Sequence, residues 1–489
     1  MKLIARTLLF CLIGLQCMWG QEHPNIVYII CDDLGYGDVA ALNPERGKIP
    51  TPEIDALARE GITFTDAHSG SSVCTPSRYS ILTGRYAWRS RLQEGVLRGG
   101  DEFDPLIAEN RLTVPKMLKK VGYTTAAMGK WHLGFRYLND EGKEFDLYEG
   151  KKLLDIPIGS TVPDGPITRG FDSYIGFHHS AAMKNVIKDD KVIDHMPPIR
   201  MLQFLGDHAT AYIKEQSTQK KPFFLYLALN SPHSPVVPSE AWQGKSGMGS
   251  YADFVMETDF VVGRVLKALK ENGLDENTLV FFTSDNGCSF PVAKGHKLEK
   301  EFGHYPSAHF RGAKSDIWEG GHRIPFIVSW PGIIEAGAKS DELVSLASLM
   351  ATCAELTGAP MGDEDGEDSI SILPLLKNAK AKSDHKMLVH HSINGKFSIR
   401  KGKWKLELTP GSGGWSAPTD GKARDMGLPK GQLYNMKKDP EERLNLYTKH
   451  PKVVKRLTAE LREIVENGRT TPGKKLGNDV PVDIFKEGR

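Results

Sequence analysis

The chain has 489 residues, a length that favours one large domain with a smaller domain attached. Its 63 basic and 61 acidic residues leave a formal net charge of +2, which excludes the electrostatic footprint of a nucleic-acid-binding protein and a polybasic membrane patch. Local side chains must therefore hold any anionic ligand.

Residues 1–20 have the pattern of a secretory signal peptide. Lys2 and Arg6 precede an apolar run over 8–15 that is too short to span a bilayer, and Gly20 is a small residue at the expected cleavage position. We therefore expect an exported protein, periplasmic or secreted, without a membrane span. Cys17 raises the alternative of a lipoprotein anchor, although the two residues before it fit a lipobox poorly.

The sequence contains six cysteines, two of which lie within the predicted signal peptide. The other four are Cys31, Cys74, Cys288 and Cys353. Four scattered cysteines in a large exported chain do not form a disulfide framework, and their spacing lacks a C-x-x-C metal motif. Each cysteine therefore needs its own explanation.

The first predicted strand ends in two acidic residues. Residues 26–31 are a continuous apolar run, typical of a strand buried on both faces, and Asp32 and Asp33 follow before a glycine-rich loop. Ligands of open α/β sheets bind at the carboxyl ends of strands, so these carboxylates are candidate metal ligands. The strand alone equally allows two solvated loop charges.

Helix and strand patterns then alternate. Residues 51–61 and 113–120 have a cap followed by a helical face, whereas 62–65 and 123–128 are strand-like. This alternation predicts an α/β fold with a parallel, doubly wound sheet.

The segment 71–85 lies between the strand-like residues 62–65 and the helical residues 113–120, and it places Cys74 just before a predicted helix. Pro76 fits the first helical position, Ser77 can hydrogen-bond nearby backbone amides, and Arg78 lies one turn further on. The positive end of a helix suits an anion. An isolated cysteine at such a place is, by itself, more often a small buried hydrophobe.

The segment 135–200 is irregular and rich in Gly, Asp, Lys and Pro. We predict that it is a surface insertion over the edge of the sheet, of the kind that often carries function. His178 and His179 lie in it, and they either face a substrate or are surface histidines without a role.

Other predicted strands also end in polar side chains. Lys130 and His132 follow 123–128, and His233 follows the apolar run 223–229. The carboxyl ends of parallel strands share one edge of a sheet, so these groups are candidates for one pocket.

The run 279–282 is followed by Asp285 and Asn286, and Lys314 lies before the strand 324–329. A predicted core-facing helix over 251–272 precedes both segments. Carboxylate and amide oxygens suit calcium or magnesium and disfavour zinc or copper.

The residue pattern of the chain changes after a predicted solvated linker at 379–386. Residues 396–408 alternate like an antiparallel strand pair, and Leu457 and Leu461 mark a terminal amphipathic helix. We therefore predict a large α/β domain over 21–386 and a smaller C-terminal α+β domain over 387–489.

Several longer motifs together resemble the type I, formylglycine-dependent sulfatases of the alkaline phosphatase superfamily. They are CTPSRYSILTGR at 74–85, NIVYIICDDLGYGD at 25–38, GKWHLG at 129–134, GFDSYIG at 170–176, SPHSP at 231–235, SDNG at 284–287 and AKSDIWEGGHRIP at 313–325. In the C-terminal part, 399–406 and 433–446 also resemble the family's small domain. The resemblance covers nearly the whole mature chain and implies an alkaline-phosphatase-like sheet.

The resemblance also implies a chemistry. A maturation enzyme would convert Cys74 to formylglycine (3-oxoalanine), whose hydrate attacks sulfur with one hydroxyl and releases sulfate through the other. One calcium ion would be held by Asp32, Asp33, Asp285, Asn286 and residue 74. Arg78 and Lys130 would hold the hydrate, and His132 would assist its deprotonation or the resolution of the sulfated intermediate. His233 with Lys314 would bind sulfate and assist the leaving oxygen.

The expected function is hydrolysis of sulfate esters, chiefly of a sulfated carbohydrate, with aryl sulfates as probes. One alternative is a phosphatase or phosphodiesterase of the same fold, which would use a Ser or Thr nucleophile and two zinc ions. The other is an exported glycan-binding protein in which Cys74 stays unmodified. The regiochemistry and the sugar are not determined by these residues.

Overall fold

The computed structural model describes residues 23–97, 104–145, 148–149 and 152–486. The predicted signal peptide over 1–20 lies outside these residues, so its assignment and the domain limits derived with it stay predictions. Within the described part of the chain, no helix is long and apolar enough to cross a membrane.

The structure contains α-helices and two main β-sheets. In chain order the strands are β1 (Asn25–Asp32), β2 (Ile62–Phe64), β3 (Ala67–His68), β4 (Thr124–Lys130), β5 (Tyr148–Glu149), β6 (Lys152–Leu153), β7 (Ser173–Phe177), β8 (Asn185–Lys188), β9 (Lys191–His195), β10 (Phe223–Pro232), β11 (Thr278–Ser284), β12 (Phe326–Ser329), β13 (Ala338–Ser340), β14 (Val344–Ser345), β15 (Met387–His391), β16 (Phe397–Lys401), β17 (Trp404–Glu407) and β18 (Gln432–Asn435). The helices are α1 (Pro52–Glu60), α2 (Cys74–Thr83), α3 (Val114–Lys119), α4 (Met201–Gln216), α5 (Ser250–Glu271), α6 (Phe290–Ala293), α7 (Gly295–Lys297), α8 (Glu319–His322), α9 (Leu349–Thr357), α10 (Leu373–Lys377), α11 (Asp420–Asp425) and α12 (Pro451–Asn467).

A ten-stranded mixed sheet forms the centre of the large domain, in the order β13-β2-β12-β11-β1-β10-β4-β7-β8-β9. Its central strands β11, β1, β10, β4 and β7 are parallel, which confirms the α/β prediction. Towards both edges the sheet also contains antiparallel strands, which the alternation of helices and strands did not predict. Strand β12 runs antiparallel to β11 and β2, and β8 and β9 are antiparallel. Only two residues join β8 to β9, and such a short turn permits only antiparallel pairing.

The segment 135–200 contributes to the sheet itself, contrary to the predicted insertion over its edge. Strand β7 pairs with β4, and the β8–β9 hairpin extends the sheet from β7. Gly176 of β7 lies so close to β4 that a Cβ atom there would be 2.0 Å from the carbonyl oxygen of Gly129. The glycines that looked like loop signals therefore serve close strand packing.

Strand β1 is buried on both faces, as predicted. Ile26, Tyr28 and Ile30 pack in one core layer, and Val27 and Ile29 pack in the other. Helices α2, α3 and α9 lie over the first layer, and α1, α4 and α5 over the second. Burial on both faces explains the continuous apolar run in place of alternation.

A small C-terminal domain combines the four-stranded antiparallel sheet β15-β16-β17-β18 with α12. Leu457 and Leu461 of α12 pack against this sheet, as the amphipathic pattern predicted. The predicted strand pair over 396–408 corresponds to β16 and β17. Buried Lys405 on β17 forms an ion pair with Glu319 of α8 at 3.1 Å and so joins the two domains.

Candidate active site

The central parallel strands bring distant polar residues to one edge of the sheet. Asp32 ends β1, Lys130 ends β4, Asp285 follows β11, and His233 follows β10. Because these strands are parallel, their carboxyl ends open on the same side. The first residue of α2, Cys74, lies beside them, so residues more than 200 positions apart share one site.

Helix α2 begins at Cys74, two residues earlier than the position of Pro76 predicted. Pro76 is tolerated there because the amides of the first turn have no intrahelical acceptor. Ser77 donates its Oγ hydrogen bond to the carbonyls of Ser71 and Val73 at 3.0 Å, so the expected bond to backbone amides is wrong. Cys74, described as an unmodified cysteine, therefore lies at the positive end of the helix.

Three carboxylates near Cys74 are almost completely buried, and each forms a short ion pair with a different cation. The pairs are Lys130 with Asp32, Lys314 with Asp33 and Arg78 with Asp285, at N···O distances of 2.6 to 2.9 Å. Arg78 also lies 3.5 Å from Asp32. Ser180 Oγ also donates to Asp32 Oδ2 at 3.0 Å. Charges buried in this way require such partners. The formal charges of the cluster cancel, so an added divalent cation would make it positive towards an anion.

Burial and these ion pairs act in opposite directions on the carboxylates. Burial by itself raises the pKa of Asp32, but Lys130, His233 and Arg78 outweigh it and hold that pKa well below its usual range. Burial raises the pKa of Asp285 to about 6 despite Arg78, and repulsion from Asp32 contributes to the rise. A bound cation would stabilise the ionised form of this buried carboxylate and so lower its pKa.

Asn286 provides a direct test of whether a hard cation fits. Its Nδ2 donates to Asp33 Oδ1 at 2.8 Å and to the carbonyl of Gly287 at 3.0 Å. Its Oδ1 is buried and has no hydrogen-bond partner among the described residues. The Cys74 Sγ and carboxylate oxygens of Asp32 and Asp285 lie within 4.8 Å of one another. Buried acceptors need a partner, and oxygen ligands suit calcium or magnesium, so the donor set fits such an ion.

His132 is held in one tautomer by its surroundings. Its Nε2 lies 2.9 Å from the carbonyl oxygen of Leu97, which can only accept, so the Nε2 hydrogen donates. Burial, followed by the charge of Lys130, holds its pKa well below the usual range. The neutral ring therefore presents the Nδ1 lone pair, and Nδ1 has no hydrogen-bond partner among the described residues. Such a nitrogen can accept a proton.

His233 has the opposite tautomer. Its Nδ1 donates to the carbonyl of Ser234 at 2.6 Å, and its Nε2 lies 3.7 Å from Asp33 Oδ2. Burial lowers its pKa, although Asp32 opposes the shift. Its side chain is 20% exposed and borders the cavity, so Nε2 is the nitrogen that can exchange a proton with a ligand.

A cavity of about 420 Å³ opens above this cluster. Its lining includes five of the predicted catalytic residues, Cys74, Lys130, His132, His233 and Lys314. Arg78 is fully buried and does not line the cavity; it donates to Asp285 and to the carbonyl of Lys130. The structure therefore places Arg78 behind the carboxylates.

Several residues at this site were not predicted from the sequence. Ser180 and Trp415 line the cavity but lie in none of the motifs, and Trp415 comes from the C-terminal domain. His178 and His179 are buried, which contradicts the alternative of two surface histidines. His179 lines the cavity, whereas His178 packs edge-on against Phe135 with ring centroids 4.5 Å apart. The two adjacent histidines were the one sequence signal for this part of the cavity lining.

The chain matches the sulfatase family profile over residues 24–359. It is 31% identical over 498 aligned residues to the N-acetylgalactosamine-6-O-sulfatase of Bacteroides thetaiotaomicron, covering 92% of this chain and 94% of that protein. It is 30% identical over 417 residues to the N-acetylgalactosamine-6-sulfatase of Mus musculus, covering 84% and 76% of the two chains.

Solved structures extend the similarity to the three-dimensional fold. One, from work on the metabolism of multiple glycosaminoglycans by Bacteroides thetaiotaomicron, superposes with a TM-score of 0.76 at 26% identity over 91% of this chain and 99% of that chain. A complex of Ps i-CgsB with k-i-k-neocarrahexaose superposes with a TM-score of 0.71 at 26% identity, covering 90% and 92%. With the profile match and the relatives above, these similarities show that the chain belongs to the sulfatase family of the alkaline-phosphatase-like superfamily and is a sulfuric ester hydrolase.

Proposed function

We propose that this sulfatase removes sulfate ester groups from a sulfated carbohydrate outside the cytoplasm, with formylglycine formed from Cys74 and one calcium ion. The observation that carries the proposal is the buried Oδ1 of Asn286, which has no hydrogen-bond partner among the described residues and belongs to the same site as three buried carboxylates and Cys74. Oxygen ligands for a cation lie beside a cavity that is lined by lysines and histidines, and this arrangement supports hydrolysis of an anionic ester.

The proposed calcium ion and formylglycine would each supply one chemical function. Calcium, held by Asp32, Asp33, Asp285, Asn286 and residue 74, would supply a Lewis acid, and hydrated formylglycine would supply an oxygen nucleophile. Burial raises the pKa of the Cys74 thiol, which argues against a thiolate nucleophile at neutral pH. This supports modification of residue 74.

The lysines and histidines act on the anion and its protons. Lys130 and Lys314 each hold a carboxylate and border the cavity, where their charges would attract the sulfate group. His132 would take up a proton at Nδ1, because Nε2 is bonded to the Leu97 carbonyl. His233 donates its Nδ1 hydrogen to the Ser234 carbonyl, so it would first take up a second proton at Nε2 and then pass that proton to the leaving oxygen.

The carbohydrate class follows from the relatives and from the predicted export. Two relatives are named for N-acetylgalactosamine 6-sulfate esters, and one similar structure contains a neocarrahexaose. A signal peptide would take the enzyme to where sulfated polysaccharides occur. We therefore propose N-acetylgalactosamine 6-sulfate groups as the first substrates to assay, and aryl sulfates as probes.

The modification can be tested on the purified protein. Trypsin should release residues 60–78 as one peptide, because Arg59 and Arg78 flank the segment. We expect the mass of this peptide to show an aldehyde in place of the thiol when the chain is co-expressed with a formylglycine-generating enzyme. An unmodified thiol in an active preparation would contradict the formylglycine mechanism.

Sulfate release from N-acetylgalactosamine 6-sulfate and 4-nitrophenyl sulfate should accompany the modification. Activity on the matching phosphate esters, without activity on the sulfates, would favour the phosphatase alternative. Binding of the sugar without hydrolysis and with an intact thiol would favour the glycan-binding alternative.

A further inference from the structure

We infer that a second, cationic cleft beside the Cys74 cavity binds another anionic sugar unit of the same substrate chain, with Trp415 between the two units. The inference rests on the proposed function, because it assigns the substrate as an anionic oligosaccharide or polysaccharide in place of a single sulfated sugar. Apart from Lys314, the lining of this cleft contains none of the predicted catalytic or metal-binding residues.

The cleft has a volume of about 690 Å³ and adjoins the active-site cavity. Lys314 and Trp415 line both spaces, so the two meet at these residues. Each volume falls within the range of about 300–1,000 Å³ that is typical of small-ligand sites. A ligand anchored by its sulfate near Lys314 would therefore have room to continue into the cleft.

Trp415 is 51% exposed and yet held in place by its backbone. Its amide donates to Ser315 Oγ at 3.0 Å and to Asp316 Oδ1 at 3.1 Å, and the amide of Ser416 also donates to Asp316 Oδ1 at 3.1 Å. These bonds fix a loop of the C-terminal domain beside Lys314 of the large domain. An exposed aromatic side chain on a backbone held in this way is suited to packing against the apolar face of a sugar ring.

Positive charge predominates around the cleft. Lys294, Lys297 and Arg311 line it, and Glu299 is the acidic residue of its lining. Lys297 also forms an exposed ion pair with Glu301 at 3.6 Å, which offsets part of its charge. The Arg311 guanidinium donates to the carbonyl of Glu442 at 3.0 Å and lies 3.6 Å from the centroid of the Trp318 ring, so its charge is held in place. Because the whole chain is almost neutral, this local excess indicates a ligand with sulfate or carboxylate groups.

The inference can be tested by binding to a non-hydrolysing Cys74→Ala protein. The probes are N-acetylgalactosamine 6-sulfate and a chondroitin 6-sulfate tetrasaccharide, titrated by calorimetry at low and high salt. We expect the tetrasaccharide to bind at least about tenfold more tightly, an advantage that decreases with salt because exposed charges are screened. We expect this advantage to be lost in Lys294→Ala/Lys297→Ala and reduced in Trp415→Ala, each in the Cys74→Ala background.

Lys300→Ala is the matched control, because Lys300 is exposed in the same segment and does not line the cleft. It should keep the full advantage. Equal affinity for the two probes, or an advantage that survives both cleft variants, would overturn the inference. Hydrolysis of 4-nitrophenyl sulfate by the unsubstituted enzyme tests the proposed function separately: its absence, with the tetrasaccharide advantage intact, would leave the subsite supported and the catalytic proposal contradicted.

Discussion

The guanidinium of Arg78 contacts Asp285 Oδ2 through two nitrogens, at 2.9 and 2.7 Å, and neither side chain is exposed. The carboxylate nevertheless has a pKa raised to about 6, because burial, with repulsion from Asp32, exceeds the attraction of Arg78. Arg78 thus compensates a buried charge below the cavity, a role that the motif alone did not distinguish from substrate binding.

Replacing Arg78 by Met should destabilise the protein strongly. The substitution leaves Asp285 as a buried carboxylate without its closest cation, which typically costs about 3–5 kcal/mol. Urea unfolding of both proteins measures the change. The control is Lys267→Ala, which breaks an exposed i,i+4 pair with Glu271 and should cost less than about 0.5 kcal/mol. A similar small cost for both variants would contradict the structural role of Arg78.

Replacing Cys74 by Ala should abolish sulfate release while the protein still folds. The change removes one sulfur from a buried position, with an expected stability cost of about 1 kcal/mol. Ion chromatography measures the released sulfate, and circular dichroism measures folding. Cys353→Ala, in the core of α9, is the matched control and should remain active. Full activity of Cys74→Ala would show that the site assignment is wrong.

Calcium should raise the thermal stability of the enzyme, and a chelator should lower it. A ligand at a concentration 100 times its Kd stabilises the folded state by about 2.7 kcal/mol. Asn286→Ala removes the unpartnered Oδ1 and should weaken the calcium-dependent shift in Tm. Differential scanning calorimetry with and without calcium checks both effects. A wild-type Tm that changes neither with calcium nor with the chelator EGTA would argue against the proposed ion.

Stability should decrease on acidification because of buried neutral histidines away from the active site. Burial lowers the pKa of His385 to about 4, from 6.5 in the unfolded chain. Above pH 6.5 both states are neutral, whereas between pH 6.5 and 4 the unfolded state binds the proton first, so up to about 3 kcal/mol of stability is lost. Urea unfolding at several pH values should show a smaller loss for His385→Gln. An identical pH dependence in the two proteins would contradict this contribution.

The differences from the predicted fold have local causes. The charged and glycine-rich sequence around β7 to β9 lacks the long apolar runs of β1 and β10, because these short strands lie towards an edge of the sheet. Gly176 resembled a loop residue, but its role depends on the approach of Gly129 from another strand. Likewise, nothing local to His179 decided between a position beside the cavity and a position on the surface.

The sequence by itself determined the strands buried on both faces, the small C-terminal domain and the polar residues that follow the central strands, because these depend on patterns along the chain. Motif resemblance then indicated which of those residues belong together. Only the tertiary structure decided the antiparallel strands towards the edges, the position of Arg78 behind the carboxylates and the approach of Trp415 from the second domain. These depend on contacts between residues distant along the chain, for which no local pattern exists.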